Sequence, residues 1–406
     1  MQTLSSMLTL TQTKRVLRSA LYTPTPWGWG IPVLLGGIPG GGKTAIVRDL
    51  CAEMGLGKAE VLAPGERGEG AFGVVPVPDM DLGVLTYPAP DWAARFIRRD
   101  AVGVVFVDEI TTADPSLQPA LLGLVLSRRI GGAQLGQRVR VISAGNLGGQ
   151  GGANVSPLSA ANANRCLHLP FPVACVGDFN SFNMGRDVFA QMEGEVTVTV
   201  NADEEEARVR AGWGPAFARA AGIVAGFLDG HGAHLHKMPE EGSDEASGAW
   251  PSPRTWDMAT LALAGASLHG LDEDEVDAML AGCVGVGPAA ELRAYLGAMD
   301  LPNVARVLDG LDAWLPDPSR PDVIAAVLAT GAALVAAKTS EKRLPRSLAL
   351  WDVLASVCDV AADMAVPAVQ ALVQARLFAA KSASCRKVCG TSGVHGMLPA
   401  AAAGAK

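Results

Sequence analysis

Gly37-Ile38-Pro39-Gly40-Gly41-Gly42-Lys43-Thr44 is the stretch that decides how this chain is read. It satisfies GxxxxGK[ST] at every specified position. It follows the apolar run Ile31–Leu35 and opens the helix-like segment Thr44–Met54. Strand, glycine-rich turn and helix in that order form the setting in which the pattern cradles phosphate. Glycines let the backbone curl so that successive N–H groups point inward at phosphate oxygens. Lys43 is then expected to reach the β- and γ-phosphates and the Thr44 hydroxyl to bind Mg²⁺. The plain alternative, a glycine-rich turn before a helix, fits the motif but not its context as well. Gly37, Pro39, Gly40, Gly41, Gly42, Lys43, Thr44 and Ala45 form the candidate nucleotide-binding set.

Working outward, Val104-Val-Phe-Val-Asp108-Glu109 is an apolar strand that ends in two carboxylates. Asp108 at the strand's C-terminal edge suits Mg²⁺, as in P-loop NTPases generally. Glu109 beside it suits a general base that polarises the attacking water. Taken alone, the pair reads equally as a helix cap; downstream of a phosphate loop, the catalytic reading wins. A third strand, Val139-Arg-Val-Ile-Ser-Ala-Gly-Asn146, ends in an amide able to orient water between Glu109 and the γ-phosphate. Without the two preceding motifs Asn146 would read as a turn residue.

The rest of residues 1–175 follows the same alternation. Val61–Ala63, Val102–Val107 and Val139–Ser143 are apolar throughout, as strands buried on both faces are. Helix-like segments such as Leu117–Ser127 lie between them, so a parallel α/β sheet is expected. After residue 176 the strand signal fades apart from Val196–Val200. Ala and Leu recur at helical spacing in Ala216–Leu228, Arg254–Leu268, Asp272–Leu280, Asp322–Lys338 and Leu348–Leu377. The acidic clusters Asp203–Glu206 and Asp272–Glu275 fall at helix starts, where carboxylates suit the dipole.

Composition narrows the class further. Apolar residues make up 49% and charged residues 18% of the 406, with a net charge of -8, which excludes a disordered, charge-rich chain. The acidic average argues against a protein that coats nucleic acid, although basic residues collect at both ends (Lys14, Arg15, Arg18; Lys381, Arg386, Lys387, Lys406). Seven scattered cysteines fit a reducing compartment better than a disulfide framework. No apolar run is long enough to span a bilayer. No basic residue precedes Lys14, so a secretory signal is not expected, and the cytoplasm is the default location.

With these motifs in order, the chain resembles an AAA+ ATPase of the MoxR-like branch. Further pieces carry the resemblance. Leu158-Ser-Ala-Ala-Asn-Ala-Asn164-Arg165, followed by Cys-Leu-His-Leu, is similar to the family's segment that ends in an arginine before the last core strand. Trp250-Pro-Ser-Pro-Arg254-Thr-Trp256 resembles its Ser-Pro-Arg sensor-2 motif, with Ser252 as helix cap. Gly282-Cys-Val-Gly285 with Ala289, Glu291 and Tyr295 resembles the continuation. The resemblance implies an α/β P-loop NTPase (AAA+) core with a parallel sheet over residues 1–176. A helical lid over 177–300, a helical C-terminal extension over 301–380 and a flexible basic tail over 381–406 would follow. It also implies ATP and Mg²⁺ as cofactors and a homo-oligomeric ring, usually a hexamer, with ATP at subunit interfaces. Arg165 would be the arginine finger acting on the neighbour's nucleotide, and Arg254 would contact γ-phosphate from its own lid. Glu109, Asn146, Arg165 and Arg254 are thus the candidate catalytic residues, and Thr44 and Asp108 the metal ligands.

Two insertions typical of the branch are expected as hairpins, Gly65–Tyr87 and Arg129 to Arg138. Phe72 is a candidate pore contact or else an ordinary surface residue. Relatives act on protein clients, commonly with von Willebrand factor A-domain partners, in a chaperone-like way. A DNA-directed motor of a mobile-element or phage-like system and an ATP-gated scaffold with little turnover are the alternatives. The chain departs from the family's pattern at Leu147, where proline often follows the asparagine, and at Thr111-Thr-Ala-Asp114. Residues 20–30 do not match the usual adenine-side segment. Among weaker constellations, His231, His234 and His236 read as a polar loop rather than a zinc site, and Cys385 and Cys389 as two stray thiols.

Overall fold

A computed structural model describes residues 8–145, 158–184, 200–240, 243–298, 301–336, 342–377, 379 and 381–391. The chain divides into two compact units, one of residues 1–209 with 235–290 and one of residues 210–234 with 291–406.

The first unit is built on a five-stranded sheet. Its strands are β1 (Val33–Gly36), β2 (Glu60–Leu62), β3 (Val102–Val107), β4 (Arg138–Gly145) and β5 (Leu167–Pro170). The order is β5-β1-β4-β3-β2, and every pairing is parallel. β1 is buried at all four residues and flanked on both sides, which is why its sequence is apolar throughout. Its pairing puts Gly36 level with Gly145 of β4 and with Pro170 of β5. Helices α1 (Leu10–Leu21), α2 (Lys43–Glu53), α3 (Gln118–Ser127) and α4 (Ala160–Ala163) belong to this unit, as does the short helix α5 (Val176–Met184). The first turns of α6 (Ala202–Gly230) lie here too, followed by α7 (Pro253–His269) and α8 (Glu273–Val284). The expected Val196–Val200 strand falls, but for its last residue, outside the described residues.

Two buried arginines fix the segment ahead of β1. Pro24–Thr25 and Gly28–Trp29 form a two-residue ribbon. Arg128 donates to the carbonyls of Trp27 (3.1 Å), Trp29 (2.6 Å) and Gly30 (2.7 Å), and burial beside Arg140 pushes its pKa down to about 10. Arg140 donates to Leu21 O and pairs with Glu206 at 2.5 Å, with its guanidinium over the Tyr22 and Trp29 rings. The acidic start of α6 therefore does more than complement a helix dipole: Asp203 and Glu206 hold the arginines at the start of β4.

Both expected hairpins form. Val77–Asp79 pairs with Val84–Thr86, and Arg129–Ile130 with Ala133–Gln134. Phe72, expected as a pore contact or surface residue, is instead fully buried in the core beside Trp92, Phe96 and Val105. The exposed apolar residues of that insertion lie further on, at the hairpin tip: Met80 is 86% exposed and Leu82 74%.

The second unit is helical. Its elements are the remainder of α6, the end of α9 (Val286–Ala298), α10 (Val304–Leu308), α11 (Pro321–Ala336), α12 (Arg343–Cys358), α13 (Val366–Gln374) and α14 (Ala383–Gly390). Trp351, Leu350, Leu354, Ile324 and Leu372 centre its core, and the Trp351 indole donates to Leu377 O at 3.0 Å. The single helix expected over Leu348–Leu377 is broken by a 3₁₀ turn at Ala362–Ala365. Pro367 occupies the first turn of α13, where its missing N–H costs no helical hydrogen bond. Residues 383–390, expected to fray, form α14, capped by Ser382 and anchored by buried Cys385 and Val388. Residues 392–406 lie outside the described residues. No helix among the described residues is long and apolar enough to cross a membrane.

Candidate active site

The glycine-rich loop runs from the end of β1 into α2. Gly40 (φ 72°) and Gly42 (φ 92°) adopt the left-handed conformation that side chains resist, and a Cβ at either would meet nothing within 4 Å. Glycine is needed there for backbone shape and leaves open space over the loop. Gly37 is needed for a different reason: a Cβ would stand 2.9 Å from that of Phe171. The first N–H groups of α2 have no intrahelical partner, and no side chain caps them. They are free to meet an anion.

Lys43 is buried and folds back on the loop, donating to Gly37 O and Ile38 O, both at 2.9 Å. Burial lowers its pKa, opposed by the carboxylates of Asp108 and Glu109. Thr44 Oγ1 donates to Asp108 Oδ2 at 2.6 Å, so the two expected metal ligands, 64 positions apart, are in direct contact. Asp108 is fixed from both sides: its N–H donates to Leu62 O of β2, and its Oδ1 accepts from Glu109 N. Ala45 sits half-buried in the first turn of α2, and Pro39 is exposed on the loop.

Glu109 is exposed and holds a left-handed backbone (φ 53°, ψ 41°), one of three described non-glycine residues with positive φ. Such a conformation costs of order 1–3 kcal/mol and persists where the surroundings impose it. Here the following turn does so, with Thr112 donating through both N–H and Oγ1 to Glu109 O, each at 2.8 Å. The carboxylate lies near enough to Lys43 to act on that lysine's pKa. β4 runs between β1 and β3 and ends at Gly145; Asn146, the next residue, lies outside the described residues.

Arg165 and Arg254 come together elsewhere. Arg165 follows α4 and precedes β5, whereas the loop follows the other end of β1, paired in parallel with β5. Arg165 thus sits just before β5 enters the sheet, and the three strand steps from Leu167 to Pro170, which is level with Gly36, span about 10 Å. Asn164, buried, ties this turn to the Ser-Pro-Arg turn. Its Nδ2 donates to Trp250 O (3.1 Å), and its Oδ1 accepts from the Ser252 hydroxyl (2.8 Å). Ser252 also caps α7 in a reciprocal box with Thr255, as its sequence position suggests. Burial and then the charge of Arg254 lower the pKa of Arg165. Neither guanidinium has an ion pair or hydrogen bond to a described residue, and Arg165 Nε is buried without a partner. Two adjacent, unmatched cations are an arrangement that an anion stabilises. Sequence reasoning missed this pairing and missed Asn164, because the contacts join turns 88 residues apart.

The histidines take other roles. His231 and His234 stack on Phe227, and His234 lies 2.8 Å from Glu291; His236 packs on the Trp250 ring. No three His, Cys, Asp or Glu residues among those described are grouped to hold a metal ion.

Phosphate loop, parallel sheet and helical extension define an α/β P-loop NTPase fold with an all-α extension. No protein-family model matches the chain, and no curated protein does. Among solved structures, it is similar to a crystal structure from Cytophaga hutchinsonii described as a "putative ATPase". Identity is 13% and the TM-score 0.46, over 73% of this chain and 91% of that one. A likeness that distant carries nothing about chemistry, which rests on the residues themselves.

Proposed function

We propose that this chain is an ATPase of the AAA+ class, MoxR-like in its motifs, that hydrolyses ATP between copies of itself. The observation that carries the reading is the division of the site. Lys43, Thr44, Asp108 and Glu109 meet where β1 and β3 end, while Arg165 and Arg254 stand together beside the start of β5 with no ion pair to a described residue. A second copy supplying its arginines completes the site. Lys43 would hold the terminal phosphates, and Thr44 with Asp108 would hold Mg²⁺, which supplies charge neutralisation when bound. Glu109 accepts the proton of the attacking water. The paired guanidiniums offer bidentate, permanently charged contacts to transferring phosphate. Arg254, which the resemblance places over its own nucleotide, goes with Arg165 to the neighbour's in this reading.

A ring, a hexamer by resemblance, follows from head-to-tail contacts that close. The exposed apolar tip at Met80 and Leu82 supports work on a protein client. A von Willebrand factor A-type partner belongs to the same proposal. The test uses two inactive variants. Lys43→Ala and the Arg165→Ala/Arg254→Ala double variant should each lose turnover by about 10³-fold. Mixed, they should regain a measurable fraction, since some interfaces then pair an intact loop with intact arginines. Glu109→Gln should bind ATP but turn over at least about 10²-fold more slowly. Absence of hydrolysis by wild type at high concentration would sink the motor reading, and absence of recovery on mixing would sink the shared site.

A further inference from the structure

We infer that a cavity formed by α1, the first turns of α6 and the end of α7 binds a small organic phosphate. It is lined by Arg15 and Arg18 of α1, Glu205 and Arg208 of α6, and Leu268, His269 and Leu271, and its volume is about 310 Å³. All of these residues lie in the first unit, and none belongs to the phosphate loop or to the carboxylate strand.

Helix capping accounts for two of the three arginines. Arg208 donates to Leu268 O at 3.0 Å and Arg15 to Gly270 O at 2.8 Å, satisfying carbonyls at the end of α7. Arg15 is also matched by Asp272 at 3.7 Å and Glu275 at 3.2 Å. Arg208 takes the Glu205 carboxylate with both arms of its fork, each at 2.9 Å. Arg18 is left over. Its Nη2 stands 3.5 Å from Glu205, too far for a hydrogen bond, and its Nε is buried without a partner. Burial lowers the pKa of His269, while Ser19 and Gly265 O contact its Nδ1. Glu205 is therefore shared by Arg18, Arg208 and His269, yet it is fully engaged by one of them.

A guanidinium in a concave site whose terminal nitrogens make no hydrogen bond to a described residue is suited to an oxyanion, which it binds in a planar, bidentate way. A phosphate monoester carries about -1.5 to -2 charge near neutrality and three acceptor oxygens, more than a single carboxylate offers. Leu268 and Leu271 add to the lining an apolar surface that inorganic phosphate would not use. The volume lies at the lower end of the range for small-ligand sites, about 300–1,000 Å³, which suits a body the size of a mononucleotide.

AMP and inorganic phosphate, titrated separately by calorimetry into full-length Lys43→Ala protein, test the assignment; the substitution silences the phosphate loop. Saturable binding of one AMP per chain, at least about tenfold tighter than phosphate, is expected. Arg18→Gln should weaken AMP binding by about tenfold or more with an unchanged melting temperature, and Arg15→Gln should weaken it as well. Equal affinity for AMP and phosphate would overturn the organic ligand in favour of a bare oxyanion site. No binding at millimolar AMP, or binding indifferent to both substitutions, would overturn the site altogether. These outcomes do not depend on whether the phosphate loop hydrolyses ATP.

Discussion

At the scale of single residues, burial without a partner is the most informative property in this molecule. His168 on β5 is 7% exposed; its Nε2 contacts Ala163 O at 2.8 Å, and its Nδ1 has no hydrogen-bond partner. Charging the ring would bury an unmatched N–H, and burial accordingly lowers its pKa. The folded state thus binds a proton less readily than the unfolded chain. Stability from this residue is fully present above the unfolded value, about 6.5, and is lost as pH falls below it. His269 behaves likewise. The melting temperature should fall between pH 7.5 and 5.5, and His168→Gln should flatten that fall. A variant with the wild-type slope would show that His168 is not the group responsible. Motif residues were legible because their chemistry depends on identity and spacing, as with Thr44 and Asp108. The Asn164 bridge was not legible, because an asparagine before an arginine has no signature until its two partners are in place.

At the scale of elements, the sequence gives strands and helices through periodicity, while side chains from elsewhere set how segments join. The ribbon before β1 shows this. Thr25 closes the turn locally through Gly28 O and Trp27 N–H, but Arg128, about a hundred residues downstream, ties the ribbon down through three carbonyls. Arg128→Met should cost about 2–4 kcal/mol, the loss of several charge-assisted hydrogen bonds less the relief of a desolvated cation. Arg128→Lys should not restore it, because an ammonium lacks the planar fork. Denaturant titration that finds a loss below about 1 kcal/mol would mean the ribbon is held otherwise. Phe72 makes the same point. Its loop reads as surface because Gly and Pro surround it, but the chain folds that ring into the same buried core as Trp92. Pro367 works in the opposite direction, since a local preference readable in the sequence fits its place in the first turn of a new helix.

At the scale of the molecule, the proposed pairing of one copy's phosphate loop with a second copy's arginines would make the active site a property of more than one chain. Turnover per chain should therefore rise with protein concentration and level off once assembly is complete, as for any site built by association. A turnover number constant over a hundredfold dilution into the nanomolar range would indicate a site complete within one chain. The parallel order β5-β1-β4-β3-β2 underlies this division. It sets the loop and Asp108 at one edge of the sheet and the turn before β5 at the other.

The sequence alone determined the phosphate loop, the carboxylates after β3, the parallel α/β class and the helical character of the C-terminal half. All of these follow from local spacing, from glycine's conformational freedom and from apolar periodicity. Only the tertiary structure decided that Thr44 meets Asp108, that Arg254 stands beside Arg165, that Phe72 is core, and that Arg15, Arg18 and Arg208 surround one cavity. Those relations join residues far apart in the chain. They are set by sheet register and by which buried polar groups find partners, and neither is written in any one segment.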